Sequence, residues 1–472
     1  MIFAIDDATR AERAALVDGL TGRSWTYRQL AEEVARRRDW LAASASSPAS
    51  AKALVFQLCG NTLGSVAWYL AALEAGHAVA LLAENLEAGF RERLLELFQP
   101  ELVLLGERPG VEYDAAAAEG LWRREGAGDA APLHPDLALL LSTSGSTGSA
   151  KFVRLTRRNV EANAESIRQA LGLTEHDRPV AHLPMHYSYG LSVINSHLAA
   201  GATTILTTAS LISPPFWKAV AEQRVSSFSG VPYTYQMLRR LDLDKLSAQS
   251  VMAMTQAGGK LDDRAVEFFH GQMAARGGTF WVMYGQTEAT ARISILPASM
   301  LPEKLGSAGQ AIPGGALAVL TDEGVTTSPG VVGELIYTGP NVMMGYGMDR
   351  GDLAQGDCLG GVLHTGDYAS LDADGYVTIV GRAKRDAKIF GLRINMDDVE
   401  ALLKVHGPAA VVSGKDKLIA YCEFGGAAEL ASLHSALAAK LRIHASALDF
   451  RKIDKLPTSG SGKIDYAKLE TE

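Results

Sequence analysis

Between Ala138 and Lys151 the chain reads ALLLSTSGSTGSAK, a buried-looking strand that runs into six hydroxyl residues, two glycines and a lysine. Such a loop can hold an anion. Gly145 and Gly148 free the backbone to turn tightly, so consecutive N–H groups and the hydroxyls of Thr143, Ser144, Ser146 and Thr147 converge while Lys151 adds positive charge. A helix expected from about Thr156 would complete a phosphate cradle. The same composition also makes a polar linker, but linkers are not usually preceded by an apolar strand. A Walker loop asks for Gly-Lys followed by Ser or Thr, whereas this chain offers Ala150, Lys151 and Phe152. The hydroxyl that would meet Mg²⁺ is missing, so a different phosphate chemistry is required.

Four further segments carry chemistry, in this order: YGQTEAT from Tyr284, GELIYTGPNVMMGY from Gly333, HTGDYASLDADGYVTIVGR from His364, and PTSGSGK ending at Lys463. Together with the loop they resemble the adenylate-forming superfamily, which holds AMP-dependent acyl- and aryl-CoA synthetases, peptide-synthetase adenylation domains and luciferases. The resemblance runs over essentially the whole chain. It implies ATP and Mg²⁺ as cofactors and a pantetheine thiol, of CoA or a phosphopantetheine carrier protein, as acceptor. By the resemblance, Thr143, Ser144, Gly145, Ser146, Thr147, Gly148 and Lys151 hold the β- and γ-phosphates. Thr287 contacts the α-phosphate, and Glu288 ligates Mg²⁺, a metal that favours one or two carboxylates plus phosphate oxygens. Tyr284 stacks near adenine, Gly258 and Gly259 make room for the base, and Asp367 and Arg382 meet the ribose. Lys463 is the catalytic cation, Lys384 the hinge between two poses, and Gly391 lines the thiol tunnel. Plainer roles also fit several of these residues. Glu288 starts a helix in QTEAT, Asp367 closes a turn, Arg382 solvates a joint, and Gly391 adopts a left-handed turn. Phe152 departs from the family pattern, which commonly has glycine there.

The acid is partly legible. Amino-acid-activating members carry Asp after an aromatic residue, while the corresponding stretch here is YGLS, Tyr189 to Ser192. Gly190 cannot balance an ammonium, so α-amino acids are disfavoured. His186, Tyr187, Tyr189 and Phe228 fall near the expected acid pocket and point to an aryl or medium acyl acid, although aromatics of this kind also build cores.

These groups need a scaffold. Runs such as ALVFQLC, ELVLLG, ATTILTT and VSSFSGV read as buried strands, and SWTYRQLAEEVARRRDWLAA reads as an amphipathic helix. The alternation predicts an α/β fold with a mostly parallel sheet wrapped by helices. From Gly375 the texture changes to turn, strand, a charged joint from Arg382 to Lys388, a second strand, and a helix capped by Asn395. We therefore expect a large multi-sheet N-terminal body over 1–381 and a small mobile α+β C-terminal domain over 382–472.

The remaining composition excludes other classes. With 472 residues, 47% hydrophobic and 21% charged, the chain is globular, and its net charge of −8 without a basic run argues against nucleic acid. The three cysteines, Cys59, Cys358 and Cys422, lack paired spacing. The acidic Asp6 and Asp7 interrupt any leader, and Glu74, Gly76 and His77 interrupt the longest apolar stretch, so neither export nor a membrane span is expected and a cytoplasmic location is. Three functions remain: an AMP-forming acid–thiol ligase, an enzyme that stops at the acyl-adenylate or uses another acceptor, and a nucleotide-binding relative without turnover.

Overall fold

A computed structural model of the chain describes residues 1–44, 52–125, 131–142, 151–240, 248–382, 386–389, 392–414, 417–441, 443–458 and 464–470. The expected runs are strands. Leu54–Cys59 pairs in parallel with Ala78–Ala83 and with Leu102–Leu104, and Ala78–Ala83 pairs in parallel with Leu137–Ser142. Their residues are buried on both faces, as strands covered by helices on both sides must be. They form the middle of an eight-stranded sheet. A nine-stranded sheet carries the second parallel set, Pro179–Ala181, Thr204–Leu206, Ser227–Gly230, Ala253–Gln256 and Thr279–Tyr284.

Helix Arg157–Leu171 begins where its chemistry says it should. The Thr156 hydroxyl accepts from the Asn159 amide at 3.0 Å, and the Asn159 side chain accepts from the Thr156 amide at 2.8 Å. The helix starts where it was expected, and an unexpected strand stands between it and the glycine-rich loop. Phe152–Thr156 is a strand, antiparallel to Leu137–Ser142, so the loop links neighbouring strands and the helix N-terminus lies a strand's length beyond. The physical reason is apolar content. Phe152, Val153 and Leu155 are buried, which a strand inside a sheet allows and a surface turn does not.

Phe152 belongs to that packing. Its ring sits 4.9 Å from that of Phe98 and 6.2 Å from that of Phe56, edge-on in both cases, and is 1% exposed. Next along the strand, Arg154 is fully buried. Its guanidinium donates to the carbonyls of Tyr346 at 3.0 Å, Gln355 at 2.5 Å and Gly356 at 3.3 Å, which ties Gly345–Gly347 to the strand edge.

By compactness the chain forms two units. Setting aside the undescribed segment 143–150, the larger contains Met1 through Ala316 with Tyr337–Leu363, and the smaller contains Leu317–Ile336 and His364–Glu472. The smaller unit therefore holds more than the stretch 382–472 expected from sequence, because most of a five-stranded sheet clusters with it. It also holds a three-stranded sheet, Ala409–Gly414, Lys417–Cys422 and Leu448–Lys452, with helices Met396–Lys404 and Ala427–Leu441. The charged joint is shorter than expected as well. Asp386–Ile389 already forms a hairpin strand with Leu392–Asn395.

If Phe152 is a core residue, Phe152→Ala should cost about 3–5 kcal/mol in urea unfolding. A loss under about 1 kcal/mol would place the ring outside the core.

Candidate functional site

The segment Tyr284 to Arg292 is shaped by tight contacts. Strand Thr279–Tyr284 ends at Gly285, where a Cβ would lie 1.8 Å from the Ala291 carbonyl oxygen, so only glycine lets the loop close on itself. Thr287–Ala289 forms one 3₁₀ turn. Thr290 follows at φ +65° and ψ −49°, and the Ala291 amide bonds back to the Ala289 carbonyl at 2.7 Å. That is a γ-turn of the rare, strained hand, centred on a β-branched residue. Asn341 holds it in place. The Thr290 hydroxyl donates to the Asn341 carbonyl at 2.7 Å, and the Asn341 side-chain amide donates to the carbonyls of Ala289 at 2.8 Å and Arg292 at 3.0 Å. The Tyr337 hydroxyl donates in turn to the Asn341 side-chain oxygen at 2.7 Å.

The turn presents two expected site residues. The Thr287 hydroxyl lies 3.0 Å from that of Ser188, the first residue of helix Ser188–Ala199. Glu288 accepts from the Tyr346 hydroxyl at 2.8 Å. Burial, helped by the Glu288 charge, raises the Tyr346 hydroxyl above its ordinary range, so it stays a donor. The other face of the matter is Lys151. Its ammonium lies 3.3 Å from the centroid of the Tyr346 ring. Strand register explains the meeting, since Gly347 pairs with Phe152 and Tyr346 with Val153, which brings Tyr346 beside the residue that precedes the strand.

Other expected residues are placed as follows. Tyr284 ends its strand, and its hydroxyl accepts from the Gln286 amide at 3.3 Å. Gly258, at φ +82°, and Gly259 turn the chain after Ala253–Gln256. Within the smaller unit, Asp367 is 5% exposed and lies opposite Arg382 in strand register. Residues Thr143 to Gly148, Lys384, Gly391 and Lys463 lie outside the described residues.

The acid-pocket expectation divides. Tyr187 and Tyr189 sit 6.3 Å apart at the start of helix Ser188–Ala199, and the Tyr189 hydroxyl bonds to Thr255. His186 is beside them, its Nδ1 buried without a partner, and burial lowers its pKa. Phe228 does not join this group. Its neighbour Ser229 accepts from the Thr255 hydroxyl on the Tyr189 side, and strand alternation turns Phe228 to the opposite face, where it packs on His182 at 4.7 Å and Phe216 at 6.2 Å. Gly190 has a packing reason too: a Cβ there would lie 2.3 Å from the Pro184 carbonyl oxygen.

Sequence reasoning did not single out Ser188, Thr290, Arg292, Asn341 or Tyr346. The signal available was the quoted segment GPNVMMGY, whose Asn and Tyr are polar residues inside an otherwise apolar run.

Does the donor set fit a nucleotide with Mg²⁺? Glu288 supplies a single hard carboxylate with one oxygen engaged by a neutral hydroxyl, and no cluster of three or more metal-ligating side chains occurs among the described residues. One carboxylate suits an ion that completes its shell with phosphate oxygens and water, and does not suit a metal that needs a protein cage.

Comparison with known proteins agrees with the fold. O-succinylbenzoate coenzyme A synthetase from Bacillus subtilis, solved with ATP and a magnesium ion, superposes with a TM-score of 0.76 at 25% identity, covering 97% of this chain and 96% of that one. Feruloyl-CoA synthase from Amycolatopsis sp is 29% identical over 475 residues, 94% of this chain and 93% of the relative. Oxalate–CoA ligase from Arabidopsis thaliana is 32% identical over 282 residues, 58% of this chain, and the match spans 53% of the relative's length. Fold and site together define an α/β protein of the adenylate-forming class. The family of AMP-binding enzymes matches residues 3–347, and the chain belongs to it. Among the described residues no helix is long and apolar enough to cross a membrane.

The link between Tyr346 and Glu288 can be separated from that between Tyr346 and Lys151. Tyr346→Phe removes only the hydroxyl, and we expect the Mg²⁺ concentration for half-maximal acid-dependent pyrophosphate exchange to rise about three- to tenfold with KM for ATP little changed. Tyr346→Leu also removes the ring and should raise KM for ATP further. Identical metal titrations for wild type and Tyr346→Phe would show that the hydroxyl bond to Glu288 has no bearing on Mg²⁺ dependence.

Proposed function

We propose that this chain is an AMP-forming ligase that joins a small carboxylic acid to a pantetheine thiol. In the first half-reaction a substrate carboxylate oxygen attacks the α-phosphorus of ATP. The bond to the β-phosphate bridging oxygen breaks, and pyrophosphate leaves with its electron pair. In the second, the thiol sulfur attacks the acyl carbon, its proton passes to solvent, and AMP leaves. The observation that carries the reading is the contact set joining Lys151, Tyr346 and Glu288. It brings the Lys151 ammonium onto the ring face of one side chain and the Glu288 carboxylate onto its hydroxyl.

Residue roles follow the same reading. The loop from Thr143 to Gly148, with Lys151, binds the β- and γ-phosphates, and Thr287 the α-phosphate. Glu288 would hold Mg²⁺, which when bound neutralises charge on the phosphate oxygens. Asp367 and Arg382 take the ribose hydroxyls, Tyr284 packs near adenine, and Gly258 and Gly259 admit the base. Lys463 bridges the acyl oxygen and the α-phosphate. The small domain pivots at Lys384, so the joint at 381/382 is the functional boundary, and Gly391 lines the thiol's path. The likeness to feruloyl-CoA synthase and to oxalate–CoA ligase supports CoA as the acceptor. A carrier protein bearing phosphopantetheine presents the same thiol. The location is cytoplasmic, in keeping with cysteines that are all free.

The test is acid-dependent pyrophosphate exchange across a panel of acids, repeated with CoA and with a pantetheinylated carrier. Lys463→Ala should lose roughly 3 kcal/mol of transition-state stabilisation, on the order of a hundredfold or more in rate, with the thermal transition unchanged. Full exchange by that variant would remove Lys463 from the chemistry.

The pivot has its own test. Proline fixes φ near −65°, so Lys384→Pro should lock one pose. Exchange should survive within about tenfold, while thioester formation falls much further. A folded Lys384→Pro variant with full thioester formation would rule out rotation at this residue.

A further inference from the structure

Three arginines among the described residues are less than a tenth exposed: Arg154 at 0%, Arg292 at 2% and Arg350 at 6%. Two of them are fully accounted for. Arg154 is surrounded by carbonyl oxygens, and Arg350 pairs with Glu101 through two nitrogens, at 2.5 and 3.0 Å, while its Nε donates to the Ala131 carbonyl at 2.8 Å. Arg292 is different. Its Nε is buried without a partner, its guanidinium lies 4.7 Å from the centroid of the Tyr189 ring, and among the described residues no carboxylate forms an ion pair with it.

A guanidinium does not shed its proton inside a protein, so burial alone cannot silence this charge. Nor do the neighbouring tyrosines supply a counter-charge. Burial raises the pKa of both Tyr187 and Tyr189, which keeps the hydroxyls neutral. His186, whose pKa burial lowers, adds no negative charge either. A ring face offsets part of the cost of a buried cation, but it satisfies none of the N–H donors.

The position is built. The Arg292 carbonyl is held by the side-chain amides of Asn163 at 3.1 Å and Asn341 at 3.0 Å, and the γ-turn at Thr290 fixes the chain just before it. The Tyr189 ring beneath the guanidinium is anchored by its hydroxyl on Thr255. Both lie in the larger unit, and Arg292 is four residues from Glu288.

We propose that Arg292 is a specificity residue that binds a second carboxylate on the acid substrate, so that the enzyme activates dicarboxylic acids at one end while Arg292 holds the other. This rests on the ligase reading above. The bound group is the non-reacting carboxylate, because an oxygen locked in an ion pair with guanidinium is a poorer nucleophile. A monocarboxylic acid would leave the buried cation unmet after water has been expelled. A diacid supplies both the charge and the acceptor oxygens for the fork of N–H donors.

The test uses the full chain with succinate, glutarate and phthalate, each against its monomethyl ester. Thermal shift reads binding without ATP, and pyrophosphate exchange reads turnover. At least one diacid should raise the melting temperature of the wild type while its ester does not, and Arg292→Met should abolish that shift. In turnover, Arg292→Met should lower kcat/KM for that diacid about a hundredfold, leave KM for ATP unchanged, and narrow or reverse the preference over the ester. Methionine removes a buried charge without adding bulk, so the variant should melt at or above the wild-type temperature. Arg292→Lys, which keeps the charge but loses the fork, should recover part of the diacid preference. The inference is overturned if no diacid stabilises the wild type more than its ester, or if Arg292→Met keeps the preference. An Arg292-dependent thermal shift without exchange for any acid would sustain this assignment and sink the ligase reading.

Discussion

Everything at the site depends on a strained γ-turn kept in place by one buried asparagine. A β-branched residue at positive φ costs on the order of 1–3 kcal/mol, and it persists only where its surroundings over-determine it. Asn341 does this from both ends. Its carbonyl takes the Thr290 hydroxyl, its amide satisfies two carbonyls that the turn leaves without sheet partners, and Tyr337 orients the amide. The turn separates two groups of side chains that meet different partners. Before it, Glu288 and Thr287 sit on a single 3₁₀ turn; after it, Arg292 enters the strand pairing that begins at Ser294. A relaxed helical continuation of Thr287–Ala289 would rotate Arg292 about the helix axis and take it away from Tyr189.

The second support comes from a different sheet. Gly345–Gly347 is an edge strand, and edge strands fray. Arg154 prevents this by driving its guanidinium into the carbonyls beyond the ladder. Tyr346 is thereby fixed in register, and with it the Glu288 carboxylate. A buried arginine here does the work of several backbone partners. That accounts for a charged residue at the centre of an apolar strand whose neighbours, Val153 and Leu155, are fully buried.

Much of this is legible in the sequence. Long apolar runs such as the one that becomes Leu54–Cys59 announce covered parallel strands, and the helix expected from about Thr156 begins there. The failures have physical causes. Phe152–Thr156 is missing from the expected strands because the run is short and broken by Arg154, and only its pairing with Leu137–Ser142 reveals it. Phe228 was expected near the acid pocket, but composition marks only an aromatic residue, and register tells which side of the sheet it occupies. Asn341 and Arg292 matter through partners far away in sequence, such as Thr290 and Asn163, and no local spacing encodes those distances.

The two cations described at the site share a way of being held. Lys151 lies on the ring of Tyr346 and Arg292 on the ring of Tyr189, and each tyrosine hydroxyl is committed elsewhere, to Glu288 and to Thr255. An aromatic face holds a cation by about 0.5–2 kcal/mol. A carboxylate in the same place would form a desolvated pair that costs about 3–5 kcal/mol to break from one side. Arg292 therefore has in Tyr189 a weaker neighbour than a carboxylate would be. The ring fixes the Arg292 guanidinium in position without neutralising its charge. The committed hydroxyls complete the device, since a ring free to turn would present its oxygen and compete with the ligand for the same N–H donors.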